Sequence, residues 1–169
     1  GSTFSFELPL PREAPQRPAT STRSPEPRFT GAKRLLLVED NPINQRVAHH
    51  MLTRLGHDVD IAQNGREALD RLAAQSFDLV LMDCQMPEMD GLEATAHIRS
   101  ETSAVLDHDI PIVAMTANAF AEDRERCLAA GMNDFLAKPV SRTALAEVIA
   151  KWTAGARSHG EQSEAPVQA

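Results

Sequence analysis

Three carboxylates, one lysine and one threonine stand at the ends of four short apolar runs. Asp83 closes LVLMD at 79–83, just before the turn-like MPEMDG at 86–91. Glu39 and Asp40 close RLLLVED at 34–40. Thr116 closes PIVAMT at 111–116, and Lys138, followed by Pro139, closes DFLAK at 134–138. In a parallel α/β sheet, ligands and chemistry gather outside the carboxyl ends of the strands. Four strands that each deliver a polar group to one edge describe a small acidic site with one cation built in.

Carboxylates crowded together repel, and their pKa values rise unless a cation intervenes. Oxygen-only ligands select a hard cation, and Mg2+ keeps several waters while taking one or two carboxylates. Asp40 and Asp83 are the expected direct ligands. Glu39 acts through water, and the backbone carbonyl of Gln85 completes the protein's share. Taken alone, Glu39–Asp40 reads equally well as a helix N-cap that favours the dipole. Lys138 alone reads as a solvated strand-end lysine. Together at equivalent strand ends, these residues support phosphoryl chemistry instead. A carboxylate is a nucleophile toward phosphorus and gives an aspartyl-phosphate. Phosphoryl transfer asks the protein mainly for positioning and charge neutralisation. Lys138 can pair with one phosphoryl oxygen and the Thr116 hydroxyl can donate to another. Pro139 fixes the turn that aims Lys138, with a cis bond as one way of doing so.

The elements that must hold these groups alternate along the chain. Strands are expected at 33–38, 58–62, 79–83, 111–115 and 133–137. Helices are expected at 42–55, 65–74, 91–100, 121–130 and from Ser141, a capping residue, to Trp152. The first helix places Val47, Met51 and Leu55 at helical spacing and stops at Gly56. The last puts Leu145, Val148, Ile149 and Trp152 on one face. Five strands alternating with five helices imply right-handed βαβ units and a parallel sheet. About 120 residues in five units fit a flavodoxin-like (βα)5 doubly wound sheet, order 2-1-3-4-5, better than an eight-stranded barrel. Strands 1 and 3 then flank the switch point, and they carry Glu39, Asp40 and Asp83.

The chain has 169 residues and a net charge of −7. The charge argues against a nucleic-acid surface, which shows a basic stripe. Cys84 and Cys127 are too few and too far apart in sequence for a disulfide framework or a zinc site, so a reduced, cytoplasmic setting is the default. Apolar runs fall well short of the roughly 20 residues that span a bilayer, so no membrane contact is expected of this segment. Residues 9–32 hold six of the eleven prolines, with Arg12, Arg17, Arg23 and Arg28 among Ser and Thr. That is linker composition, expected to be mobile. Before it, Phe4, Phe6 and Leu8 alternate on one face, which reads equally as a strand without a partner in this chain or as the start of a disordered tail. Residues 154–169 read as a disordered tail, and 33–153 as the folded domain.

VEDNPINQRV at 38–47, LMDCQMPEMDG at 81–91, AMTAN at 114–118 and DFLAKP at 134–139 resemble the receiver domain of two-component response regulators. The resemblance is greatest to receivers fused to hybrid sensor histidine kinases. It implies that Asp83 is the phospho-acceptor, Glu39 and Asp40 the Mg2+ acids, with Mn2+ as the alternative ion, and Lys138 the phosphate-pairing lysine. It makes Thr116 the switch hydroxyl and Phe135 the switch aromatic. Spacing alone fits Phe135 to plain core packing as well. Gln85 and Asn118 occupy the positions that tune phosphoryl lifetime. Cys84, beside Asp83, is expected to pack rather than react. The implied donor is a phosphohistidine domain of the same or another chain, and the implied downstream acceptor a histidine phosphotransfer domain. The implied parent is a hybrid kinase anchored at the inner membrane. GSTFSFELPL is similar to the last strand of a histidine-kinase ATP-binding domain. His49, His50, His57, His97, His108 and His159 lack a donor-helix context and read as surface or helix-face residues.

Three rivals differ in class. A haloacid-dehalogenase-like phosphatase also uses an aspartate nucleophile, but its DxD motif needs an acid where Gln85 stands. A dinucleotide-binding domain needs a glycine fingerprint where EDNPIN stands, and these carboxylates would repel a pyrophosphate. A receiver used purely as a scaffold would not need the full set of acceptor residues.

Overall fold

The structure, a computed structural model, describes residues 31–117 and 121–154. The expected terminal strand at 1–10, nearly all of the linker at 11–32 and of the tail at 154–169, and Asn118 and His159, lie outside these residues. Five strands alternate with five helices: β1 Arg34–Val38, α1 Pro42–Arg54, β2 Asp58–Ala62, α2 Gly65–Ala74, β3 Leu79–Asp83, α3 Gly91–Arg99, β4 Ile112–Thr116, α4 Ala121–Ala129, β5 Asp134–Ala137 and α5 Arg142–Thr153. The sheet is parallel throughout, in the order β2-β1-β3-β4-β5, as the alternating pattern predicts.

The apolar runs are continuous because both faces of the sheet are covered. Successive side chains of a strand point to opposite faces, so each central strand feeds two cores. Leu36 and Val38 of β1, with Val80 and Met82 of β3, pack with Ala68, Leu72, Ala94, Ile98 and Cys127 of α2, α3 and α4. Leu35, Leu37, Leu79 and Leu81 pack the other way, with Ala48 and Leu52 of α1 and Leu145, Val148 and Ile149 of α5. The edge strands β2 and β5 are only partly buried. At the β2 edge Arg34 faces Asp58 and Asp60, charges of the kind that discourage edge-to-edge pairing.

Helix starts are set by short polar side chains. Asn41 accepts from the amides of Ile43 and Asn44, with Pro42 in the first turn. Asn64, Asp90 and Ser141 accept from Glu67, Glu93 and Ala144. Each satisfies a backbone donor that the helix itself leaves open. β4 begins one residue later than expected, at Ile112. Pro111 has no amide to give to the ladder, although its carbonyl still accepts from Val80 at 2.9 Å.

One expectation fails. His57 is buried in the connection from α1 to β2, whereas the sequence places it at the surface. Its Nδ1 accepts from the Lys33 amide at 3.3 Å, and burial drives its pKa below the usual histidine value. The turn at Gly56, with φ of +92°, folds the chain back over the sheet edge and carries His57 inward.

Candidate functional site

The carboxyl ends of β1, β3, β4 and β5 converge on one edge, and each brings the polar group expected of it. Lys138 follows directly on β5, and its Nζ donates to Asp83 Oδ2 at 2.6 Å and to Glu39 Oε2 at 2.7 Å. Glu39 and Asp83 are almost wholly buried, while Asp40 is exposed. One carboxylate oxygen from each of Glu39, Asp40 and Asp83 falls within 4.8 Å of the others. Such an all-oxygen set fits a hard divalent cation.

The N-cap alternative for Glu39–Asp40 does not hold, because Asn41 caps α1. The two acids therefore remain available to the site. Asn44 donates to Glu39 Oε1 at 2.8 Å and Gln45 to the Glu39 carbonyl. These two α1 side chains fix Glu39, and their role depends on contact across the β1–α1 turn rather than on any pattern in the sequence.

Around Asp83 the loop is shaped by backbone. The Gln85 amide donates to Asp83 Oδ1 at 3.1 Å. Gly91 packs so closely that a Cβ there would lie 2.2 Å from the Asp83 carbonyl oxygen. The α3 N-terminus can approach the strand end only with glycine at this position. The sequence shows Gly91 as part of a turn; its close approach to Asp83 emerges only from the packing. Glu88, in the same loop, adopts a φ of +67°, which is uncommon for a residue with a side chain.

Thr116 ends β4, is buried, and its carbonyl accepts the Lys138 amide at 2.7 Å. The Lys138–Pro139 bond is cis. Phe135, on β5 beside Ala114 of β4, packs on the α3-side core and lies under the Arg124 guanidinium of α4, 5.1 Å from the ring centre. Asp40, Cys84, Gln85 and Thr116 line one side of a cavity of about 480 Å³, and Asp123, Arg126 and Cys127 of α4 line the other. Cys84 packs partly into the core, as expected, and its sulfur touches that of Cys127 at 3.5 Å.

The electrostatics are unbalanced. Burial pushes the Asp83 carboxyl above the usual carboxylate range and the Glu39 charge adds to this, against the Lys138 and Gln85 hydrogen bonds. Burial also works against the Lys138 ammonium, but hydrogen bonds to Asp83 and Glu39 outweigh it and raise its pKa. The two shifts look contradictory for one ion pair. They agree once the stoichiometry is considered: the lysine gains from two carboxylates, while Asp83 shares one ammonium with a neighbouring anion. Two carboxylates thus share the one ammonium that hydrogen-bonds them.

A doubly wound sheet with paired acids, a strand-end aspartate and a lysine on one edge defines a class of protein. The chain belongs to the response regulator receiver domain family, whose model matches residues 35–150. It is thus a receiver module of two-component phosphorelay signalling. The sensor histidine kinase GacS of Pseudomonas protegens is 40% identical over 87% of this chain, which spans 15% of that protein's length. The receiver domain of sensor histidine kinase PA1611 from Pseudomonas aeruginosa, solved with a magnesium ion coordinated in its active-site cleft, is 43% identical. It covers 74% of this chain and 100% of its own, with a TM-score of 0.67. The receiver domain of Ssk1 from Saccharomyces cerevisiae, solved with the histidine phosphotransfer protein Ypd1, is 30% identical with a TM-score of 0.66. It covers 76% of this chain and 94% of that one. No helix among the described residues is long and apolar enough to cross a membrane.

Proposed function

We propose that Asp83 accepts a phosphoryl group from a phosphohistidine, with Mg2+ held by Asp40, Asp83, the Gln85 carbonyl and, through water, Glu39. The observation that carries this is the Lys138 ammonium bridging Asp83 and Glu39 at the carboxyl edge of the sheet. The magnesium-containing PA1611 receiver supports the choice of ion. Mn2+ shares the preference for oxygen ligands but has no support of its own.

The bound cation supplies charge neutralisation for the carboxylates and the incoming phosphoryl oxygens. An Asp83 oxygen attacks phosphorus as the P–N bond to the donor imidazole breaks, leaving an aspartyl-phosphate and a neutral histidine once the imidazole takes up a proton. Lys138 moves its hydrogen bond from the Asp83 carboxylate to a phosphoryl oxygen. The Thr116 hydroxyl donates to another, and Phe135 turns with it, so that charge at Asp83 is read out at β5 and α4. The Gln85 and Asn118 side chains govern how water reaches the acyl phosphate. Hydrolysis returns the Asp83 carboxylate and releases phosphate.

The donor is a phosphohistidine domain of the same or another chain, and a histidine phosphotransfer domain is the downstream partner. The complex of Ypd1 with the receiver of its downstream regulator Ssk1 supports docking between these two kinds of domain; the direction of transfer proposed here is the reverse of the one in that pair. Beside the site, α1 exposes Ile43 and Val47, an apolar surface suited to such a partner. The parent is a hybrid sensor histidine kinase, of which this receiver is a cytoplasmic part. A self-contained phosphatase is less well supported, because Gln85 stands where a second acid would be needed.

The test is intact mass after incubation with acetyl phosphate, with and without Mg2+. One added phosphoryl group is expected, dependent on Mg2+ and absent from Asp83→Asn. Undiminished labelling of Asp83→Asn would overturn the assignment of the acceptor.

A further inference from the structure

Cys84 and Cys127 are the chain's two cysteines, and phospho-acceptance uses neither. They lie 43 residues apart, yet the fold sets them against each other. Cys84 follows Asp83 directly and lines the cavity over the acidic site, partly buried. Cys127 is buried on α4, facing the same cavity. Their sulfurs are 3.5 Å apart, and both are free thiols. A disulfide needs a sulfur separation of about 2.0 Å, so bond formation draws the two segments together by no more than roughly 1.5 Å at the sulfurs.

We propose that Cys84 and Cys127 are a modification site, a dithiol that a peroxide converts to a disulfide fastening α4 to the loop that follows Asp83. This goes beyond phosphoryl acceptance and stands on the geometry of the two sulfurs. Cys84 has access to the cavity and is the entry point; burial pushes its thiol well above the ordinary range, so the thiolate that meets peroxide is scarce and the oxidation is slow at neutral pH. Peroxide oxidises its thiol to a sulfenic acid, breaking the O–O bond and releasing one water. The Cys127 sulfur then attacks the Cys84 sulfur, the S–O bond breaks, and a second water leaves with the Cys127 proton. Two thiols are oxidised by two electrons and one peroxide is reduced to two waters. Contact between the sulfurs makes the second step intramolecular, which favours it over further oxidation of Cys84.

The consequence falls on α4. That helix carries Arg124 over Phe135 and Asp123, Arg126 and Cys127 along the cavity wall. In the reduced protein it meets the Asp83 loop through side-chain contact; in the oxidised protein a covalent bond would hold it there.

The experiment treats the whole chain with hydrogen peroxide, then unfolds it in guanidinium chloride with iodoacetamide and measures intact mass. The reduced protein should take two alkyl groups. The oxidised protein should take none, should have lost two hydrogens, and should recover both thiols with dithiothreitol. Hydrogen exchange of the α4 amides should slow severalfold in the oxidised form. In Cys127→Ala the same treatment should leave a Cys84 sulfenic acid that dimedone traps. Oxygen added at Cys84 in the wild-type chain without loss of two hydrogens would overturn the proposal. So would a disulfide between two chains on a non-reducing gel, or an intramolecular disulfide with unchanged exchange of α4.

Discussion

Lys138 and Lys151 each meet an aspartate, with opposite results. At the acidic edge, Lys138 is 22% exposed and is shared by two nearly buried carboxylates. At the junction of β5 and α5, one carboxylate is shared by several donors. Asp134 Oδ2 accepts from Lys151 at 2.6 Å and from the Trp152 indole at 2.9 Å, while Oδ1 accepts the Phe135 amide at 2.9 Å. Burial works against both aspartates. The donors win at Asp134 and hold it below the usual carboxylate range, whereas burial wins at Asp83 and holds it above. A carboxylate well supplied with donors is a fastening. A carboxylate short of donors is kept ready for a ligand that brings positive charge.

The largest effect expected from breaking this contrast comes from Lys138→Ala. It leaves Glu39 and Asp83 facing each other without their ammonium, and removing one partner of a buried ion pair costs about 3 kcal/mol. Urea unfolding without divalent ions should show that loss, and millimolar Mg2+ should restore part of it. A loss no larger than that of a surface pair would mean that the acidic edge is wetter than its burial indicates.

A sharper comparison sets Asp83→Asn beside Asp134→Asn. The folded state holds the Asp83 proton more tightly than the unfolded chain does. Its contribution to stability is therefore full below the unfolded pKa of about 3.9 and is lost as pH rises through the folded value. Asp134 has the reverse sign: its contribution is present above the unfolded pKa and lost as pH falls through the folded one. At neutral pH and without divalent ions, Asp83→Asn should stabilise the domain. Asp134→Asn should destabilise it by about 1 kcal/mol. Both differences should fade in acid below the folded pKa of Asp134. Shifts of the same sign at neutral pH would refute the contrast.

The smallest effect belongs to Lys151→Ala. Lys151 is 62% exposed, so its pair with Asp134 contributes about 0.5 kcal/mol or less after solvent screening. Thermal unfolding should hardly move, because the indole and the Phe135 amide still hold Asp134. A drop near that of Asp134→Asn would shift the anchor from the indole to the lysine.

Period and punctuation made the sheet readable before any coordinates. Runs such as LVLMD and IVAMT are apolar on both sides, alternate with helical stretches, and end at polar residues, which fixes strand, connection and site together. The acidic edge was legible because strand ends in a parallel sheet lie side by side. What stayed hidden depends on contacts between distant segments. Asn44 and Gln45 hold Glu39 only because α1 turns back across the end of β1. Gly91 is needed only because α3 starts against the Asp83 carbonyl. His57 looked like a surface residue because a histidine after a glycine has no periodicity to betray its burial. The meeting of Cys84 and Cys127 follows from where α4 crosses, which no spacing in the chain encodes.

The bond between the Trp152 indole and Asp134 has an optical consequence. The chain contains one tryptophan and no tyrosine, so its near-ultraviolet emission comes essentially from a single ring. That ring is tied to the first residue of β5, while Lys138 follows the last. A change in emission on adding Mg2+ or a phosphodonor would therefore report strain carried along one strand to its far end. A steady signal would mean that the acidic edge had filled while the opposite end of β5 stayed still.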